Sequence, residues 1–175
     1  AFGTAECRIW MEARMPVAIA TGGKTVAFQT GASPAPFPTV GNGWNIIKHE
    51  SILHGSEYYD SSTGYFKPTV AGWYLVSVSA MADSTTAGDV VYSGIRSPDA
   101  TIQRESFMSH IGGRLPIANL SELIYFNGTT DEIYHGAAVV GVKPNNTISN
   151  LVNVTWMSAV LVSGGSASGD SIWTE

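Results

Sequence analysis

The sequence predicts an all-β fold, a single β-sandwich or jelly roll of antiparallel strands, on three observations. Helical periodicity is nearly absent. Short apolar or alternating runs recur roughly every 8–12 residues with Gly, Pro, Asn or Asp signals between them, the spacing of sandwich strands. Charged residues make up only 13% of the 175-residue chain against 44% hydrophobic, about half the usual charge content. A surface so poor in charge is covered by Ser, Thr, Gly and Asn, hidden in subunit contacts, or both.

Taken in order, residues 7–15 alternate imperfectly and fit a strand or a short helix. Two β-type runs, 16–20 and 25–29, flank Thr21-Gly22-Gly23-Lys24 and read as a hairpin or tight corner. Residues 31–43 hold Pro34, Pro36 and Pro38 and read as a loop. Residues 44–53 form the next strand. A polar turn follows at 59–64, where Asp60 can bond the backbone two residues on and Gly64 can take a positive φ. From Trp73 the residues alternate between two faces. After a turn at 83–89, strands 90–96 and 101–109 pair across Ser97-Pro98-Asp99-Ala100. Gly112-Gly113 breaks the chain before strand 115–126, Asn127-Gly128 turns it, and 132–142 resumes strand character. After the turn at 143–146, a long final strand over 148–162 is apolar on both faces, which suggests an outer face that meets another subunit.

Several activities lack their chemistry. The net charge of −5 offers no basic stripe for nucleic acid. Cys7 is the only cysteine, so neither an intrachain disulfide nor a thiolate metal cage can form. No run approaches the roughly 20 apolar residues of a membrane helix, and no apolar h-region follows Ala1-Phe2-Gly3-Thr4. Gly23-Lys24-Thr25 lacks the earlier glycine of a phosphate-binding loop, since Ala18 stands there. His49 and His54 are spaced i, i+5, which places them on different faces of a helix or strand. No Gly-x-Ser-x-Gly elbow is present, and neither His110 nor His135 is paired with a serine at the level of sequence. Asp83, Asp89, Asp99 and Asp131 lie in loops; solvated turn carboxylates are the simpler reading, and oxygen ligands for calcium the alternative.

Tyr59, Phe66, Gly72 and Tyr74, with the turn ending at Gly64 and with Pro68 nearby, resemble the C1q-like (C1q/TNF-type) jelly roll. The ending Trp156-Met157-Ser158-Ala159-Val160-Leu161-Val162 is similar to that family's last strand, and Thr130-Asp131-Glu132-Ile133 to its acidic turn. His54, Val76 and Val78 depart from the pattern. The resemblance implies a jelly roll of about ten strands over 16–163 that assembles as a compact homotrimer. Residues 1–15 then read as an N-terminal extension or docking segment and 164–175 as a flexible tail. On this reading Tyr59, Gly64, Phe66, Gly72 and Tyr74 determine the fold. Catalytic residues and cofactors are not expected.

A small chain with one cysteine, rich in Ser, Thr and Gly, fits a non-enzymatic virion module such as a phage fibre knob or capsid decoration protein. Its partners would be other virion proteins or a surface glycan or protein receptor, with Phe37, Trp44 and Tyr92 as candidate contacts. The alternative is a secreted or spore-surface ligand-recognition domain.

Overall fold

In a computed structural model the chain is described at residues 27–30, 37–38, 43–50, 52–54, 56–83, 85–113, 115–141, 147–149 and 154–164. The expectations for 1–26, including Cys7 and the glycine-rich hairpin, and for 165–175 lie outside these residues. Thirteen strands are described: β1 (Ala27–Thr30), β2 (Phe37–Pro38), β3 (Asn45–Ile46), β4 (Ile52–His54), β5 (Tyr59–Asp60), β6 (Tyr65–Phe66), β7 (Gly72–Met81), β8 (Val90–Arg96), β9 (Gln103–Ser109), β10 (Ile117–Phe126), β11 (Ile133–Val140), β12 (Thr147–Ile148) and β13 (Trp156–Gly164). A single 3-10 turn, Ser56–Tyr58, precedes β5.

Every pairing is antiparallel. One sheet runs β10-β7-β13-β1-β4 and the other β5-β6-β11-β8-β9, with β3 added to β11. After β7 the chain crosses to the second sheet for the β8–β9 hairpin, returns for β10, crosses for β11 and returns for β13. Such alternation between two packed sheets is jelly-roll connectivity.

The core lies between the sheets and is graded along its length. At one end Phe66, Tyr74 and Phe126 meet edge to face, with ring centroids 5.3–6.0 Å apart, and Tyr59, Ile95, Ile133 and Met157 pack round them. At the other end no aromatic residue enters the cluster: Ala80, Ala82, Ala118, Ala137, Val91 and Val139 pack with Ile47 and Ile148. Strand β7 supplies both ends by alternation, burying Tyr74, Val76, Val78 and Ala80 while Trp73 and Leu75 face outward.

Three sequence expectations change. The predicted strand over 44–53 divides into β3 and β4. Its middle stays extended, with Ile47 and His49 buried and Ile46, Lys48 and Glu50 exposed. The Ile47 N–H still donates to the carbonyl of His135, its partner in the β3–β11 register, but two residues on the His49 N–H leaves that ladder for the Tyr59 hydroxyl. The predicted loop at 31–43 contains β2, which pairs with β12; a proline lacking its N–H is tolerated in so short an edge. Of the predicted strand over 148–162, Ile148 lies in β12, Val154 and Thr155 form a turn, and β13 runs from Trp156; residues 150–153 lie outside the described residues. The Ser79 hydroxyl donates to the Val154 carbonyl and the Met81 N–H to the Thr155 hydroxyl, so one side chain and one backbone N–H of β7 hold a turn where the ladder was expected.

Candidate functional site

The turn that leads into β6 is built as its sequence requires. Asp60 Oδ1 accepts from the Ser62 N–H at 2.8 Å and the Ser62 hydroxyl at 2.6 Å, and Gly64 takes a φ of 85°. These bonds, the hydroxyl's first, hold the Asp60 carboxyl below the usual carboxylate range. Two neighbouring loops are locked in the same way. Asp99 accepts from the hydroxyls of Ser97 and Thr101 and from the Thr101 N–H, which lowers its pKa also. Asn127 Oδ1 accepts from the N–H groups of Thr129 and Thr130, while its amide donates to Asp131 at 2.7 Å.

Rigid loops therefore crowd one end of the sandwich. They leave a cavity of about 430 Å³ on one side of the β10–β11 loop, lined by Asp99, Tyr125 and Asp131 among others. A second cavity of about 590 Å³ lies on the other side, against Tyr58, Tyr65 and Lys67. Glu132 borders both.

The four aspartates considered for calcium are not gathered together. Asp99 and Asp131 share the loop end. Asp83 follows β7, and buried Asp89 closes the turn before β8 by accepting from the Thr86 N–H and hydroxyl. Among the described residues, no group of three or more metal-ligating side chains forms.

Of the aromatic residues singled out as surface contacts, Trp44 and Tyr92 do meet, with centroids 6.0 Å apart. Phe37 lies in β2, with its side chain outside the described residues. Trp44 is less available than expected. Its ring lies over Gly94 and Gly136, where an added Cβ would come within 3.0 Å of the indole, and the Arg96 guanidinium sits 3.9 Å from a Trp44 ring centroid. The buried Arg96 Nε has no hydrogen-bond acceptor; guanidinium stacking on the indole gives the group a cation–π partner instead. Phe107, not anticipated from sequence, faces Tyr92 across the β8–β9 pair and is 64% exposed.

A serine does contact His135. Ser93 Oγ lies 3.0 Å from His135 Nε2, and His135 Nδ1 lies 3.1 Å from His49 Nε2. Both imidazoles and Ser93 are buried. Desolvation lowers His49 to about 3 and holds His135 well below its ordinary value, His49 adding to the effect. Neutral rings with their Nε2 protonated satisfy the chain from His49 through His135 to Ser93. It has the composition of a proton relay, but it is sealed from any substrate and acts as a polar core.

The outer face of the β10-β7-β13 sheet is the more unusual surface. Cross-strand register sets out its rows: Tyr125 beside Trp73, then Leu123-Leu75-Val160, then Ser121-Ser77-Ser158, then Asn119-Ser79-Trp156. None of these residues is charged. Trp73, Leu75, Leu123 and Val160 are 40–51% exposed, and Val162 lies beyond them at 52%. A separate apolar region flanks the β9–β10 connection, where Phe107, Met108, Ile111 and Leu115 are exposed. All of β9 is exposed or half-exposed, an edge strand with little cover.

No family model and no curated protein matches the chain. Solved structures do. The globular domain of zebrafish complement 1qA superposes with a TM-score of 0.57 at 12% identity, over 81% of this chain and all of that one. The fold is the C1q/TNF-type jelly roll. Eiger TNF from S. frugiperda matches with a TM-score of 0.56 at 8% identity, over 86% of this chain and 98% of its own. The vertex protein P5 of PRD1 matches with a TM-score of 0.51 at 16% identity, over 81% of this chain and all of its own. Within this jelly roll Tyr59, Phe66 and Tyr74 are core residues, Gly64 ends the β5–β6 turn, and Gly72 opens β7.

Proposed function

We propose that the chain is a non-enzymatic module that assembles as a homotrimer and serves in a virion as a fibre knob or capsid decoration protein. The observation that carries the assembly is the uncharged outer face of β10-β7-β13, together with the distinct apolar region at β9–β10. Exposed apolar surface on this scale favours burial against a partner. Two different patches on one chain favour a head-to-tail contact, which closes into a ring when each subunit seats its β9–β10 edge on the next subunit's sheet. The compact trimer implied by the C1q-type resemblance is such a ring. A fold shared with a viral vertex protein, low charge and a single cysteine support the virion setting. The likeness to complement 1qA and Eiger TNF favours a second reading, a secreted ligand-recognition domain. Native mass spectrometry tests the assembly: the expected species has three times the 18.5 kDa chain mass, and a monomer across micromolar concentrations would overturn it. Mass analysis of purified particles separates the virion setting from the secreted one.

A further inference from the structure

We propose that the cavity of about 590 Å³ beside the β5–β6 turn binds an uncharged saccharide. Its volume lies within the usual range of small-ligand sites, and its walls are aromatic. Tyr58 and Tyr65 line it with Pro68, and the Tyr65 ring is backed by Tyr134 at 5.7 Å in a stacked arrangement. Such rings offer flat apolar faces to the C–H face of a pyranose.

The polar groups supply both halves of hydroxyl recognition. Lys67 donates, Glu57 and Glu132 accept, and the tyrosine hydroxyls do either. Lys67 Nζ stands 3.8 Å from Glu132 Oε2, too far for a hydrogen bond. Each therefore keeps unspent capacity that a sugar hydroxyl can bridge, accepting from the ammonium while donating to the carboxylate.

The mixture of charges selects the class. Glu57, Asp60 and Glu132 outnumber Lys67 and disfavour an anionic sugar. A cation finds no clustered carboxylates, because Lys67 lies 3.8 Å from Glu132 and offsets it, and the Asp60 oxygen that bonds Ser62 is turned to its own loop. A neutral ligand with many hydroxyls uses donors and acceptors alike.

The walls are also fixed before a ligand arrives. The Lys67 N–H donates to the Tyr58 carbonyl at 2.7 Å, and Thr129 is tied to Asn127 by both its N–H and its hydroxyl. Pre-set walls reduce the ordering cost of binding. The cavity lies by β5 and β6, at the opposite edge of its sheet from β9, and none of its lining residues belongs to β7, β9, β10 or β13, the strands of the proposed subunit contact.

Saturation-transfer NMR on the full chain, with methyl β-galactoside, methyl α-mannoside and N-acetylglucosamine, tests the site. Binding of at least one of them at millimolar concentration is expected. The paired Lys67→Met and Glu132→Gln variant should weaken it by about tenfold, since hydrogen bonds to charged groups are at stake. Tyr65→Ala should abolish it, and Ala87→Ser in the exposed turn before β8 should leave it unchanged. The paired variant changes an exposed group and a half-buried one by near-isosteric replacements, so its amide spectrum should match the parent's, which separates lost recognition from lost folding. Failure of all three sugars to bind, retained affinity in the paired variant, or binding only of N-acetylneuraminic acid or choline would overturn the proposal. The readout is independent of subunit number, so a monomeric chain would refute the trimer without touching this site.

Discussion

The Tyr74 hydroxyl donates to the Val70 carbonyl at 2.8 Å while its ring packs 5.3 Å from Phe126. One side chain thus anchors the core's aromatic end and ties the β6–β7 loop to β7. Removing only the hydroxyl, as in Tyr74→Phe, should cost about 1–2 kcal/mol by leaving that carbonyl unpaired, read as a lower urea midpoint with an unchanged slope. Burial of the phenol pushes Tyr74 up to about 12, with Tyr58 adding to it, and burial likewise pushes Tyr59 to about 12. Below pH 10 this contribution is complete. Above it the unfolded chain releases protons that the folded chain keeps, so stability should fall between about pH 10 and 12. Tyr74→Phe should flatten that alkaline limb in a denaturation series.

The acid limb belongs to the histidines. Folded His49 titrates at about 3 and His135 also lies well below 6.5, so both stay neutral while the unfolded chain takes up protons. Their contribution is complete above about pH 6.5 and is lost as pH falls towards 3. His49 alone should remove about 2–3 kcal/mol between pH 7.5 and 4.5. Urea midpoints at the two pH values measure this loss, and His49→Gln should reduce the difference while lowering stability at pH 7.5.

Which of these features the sequence reveals depends on how local they are. Asp60, Ser62 and Gly64 form their turn from neighbours, and the alternation of β7 is a property of a single strand, so both were legible. The final strand's two apolar faces also pointed correctly to an outward apolar surface. By contrast, the His49–His135 contact joins residues 86 apart in sequence, and nothing near either one reports it. The glycine floor under Trp44 depends on Gly94 and Gly136 falling opposite each other across β8 and β11. A one-residue slip would remove it, and composition carries no such register. The sugar-sized cavity is equally non-local, because Tyr65 and Glu132 come together through the pairing of β6 with β11; the sequence suggested recognition by the aromatic residues Phe37, Trp44 and Tyr92, of which Trp44 is pinned to the sheet.

Gly128 shows how tightly that loop end closes. Its φ is 75°, and an added Cβ would come 2.6 Å from the Ala71 N and 3.1 Å from the Thr69 O. Gly128→Ala therefore meets backbone strain and a collision with main-chain atoms that have no flexible end to move. A loss of about 2–4 kcal/mol is expected, seen as a fall in thermal midpoint. An alanine variant as stable as the parent would show that the β6–β7 and β10–β11 loops do not pack as described.

The assembly face offers the sharpest separation of folding from association. Leu75 and Leu123 sit side by side on β7 and β10, 45% and 51% exposed in the isolated chain, so neither fills the core. Leu75→Glu places a carboxylate in the middle of an uncharged surface. In a lone subunit the charge remains hydrated, and stability should change by roughly 0.5 kcal/mol or less. In a ring, three copies of that charge would be desolvated without partners, which costs several kcal/mol for each. The expected result is a folded monomer with the parent's circular dichroism and one third of its native mass. A Leu75→Glu protein that stays trimeric would place the contact elsewhere, and one that unfolds would show that monomers of this chain do not persist without their neighbours.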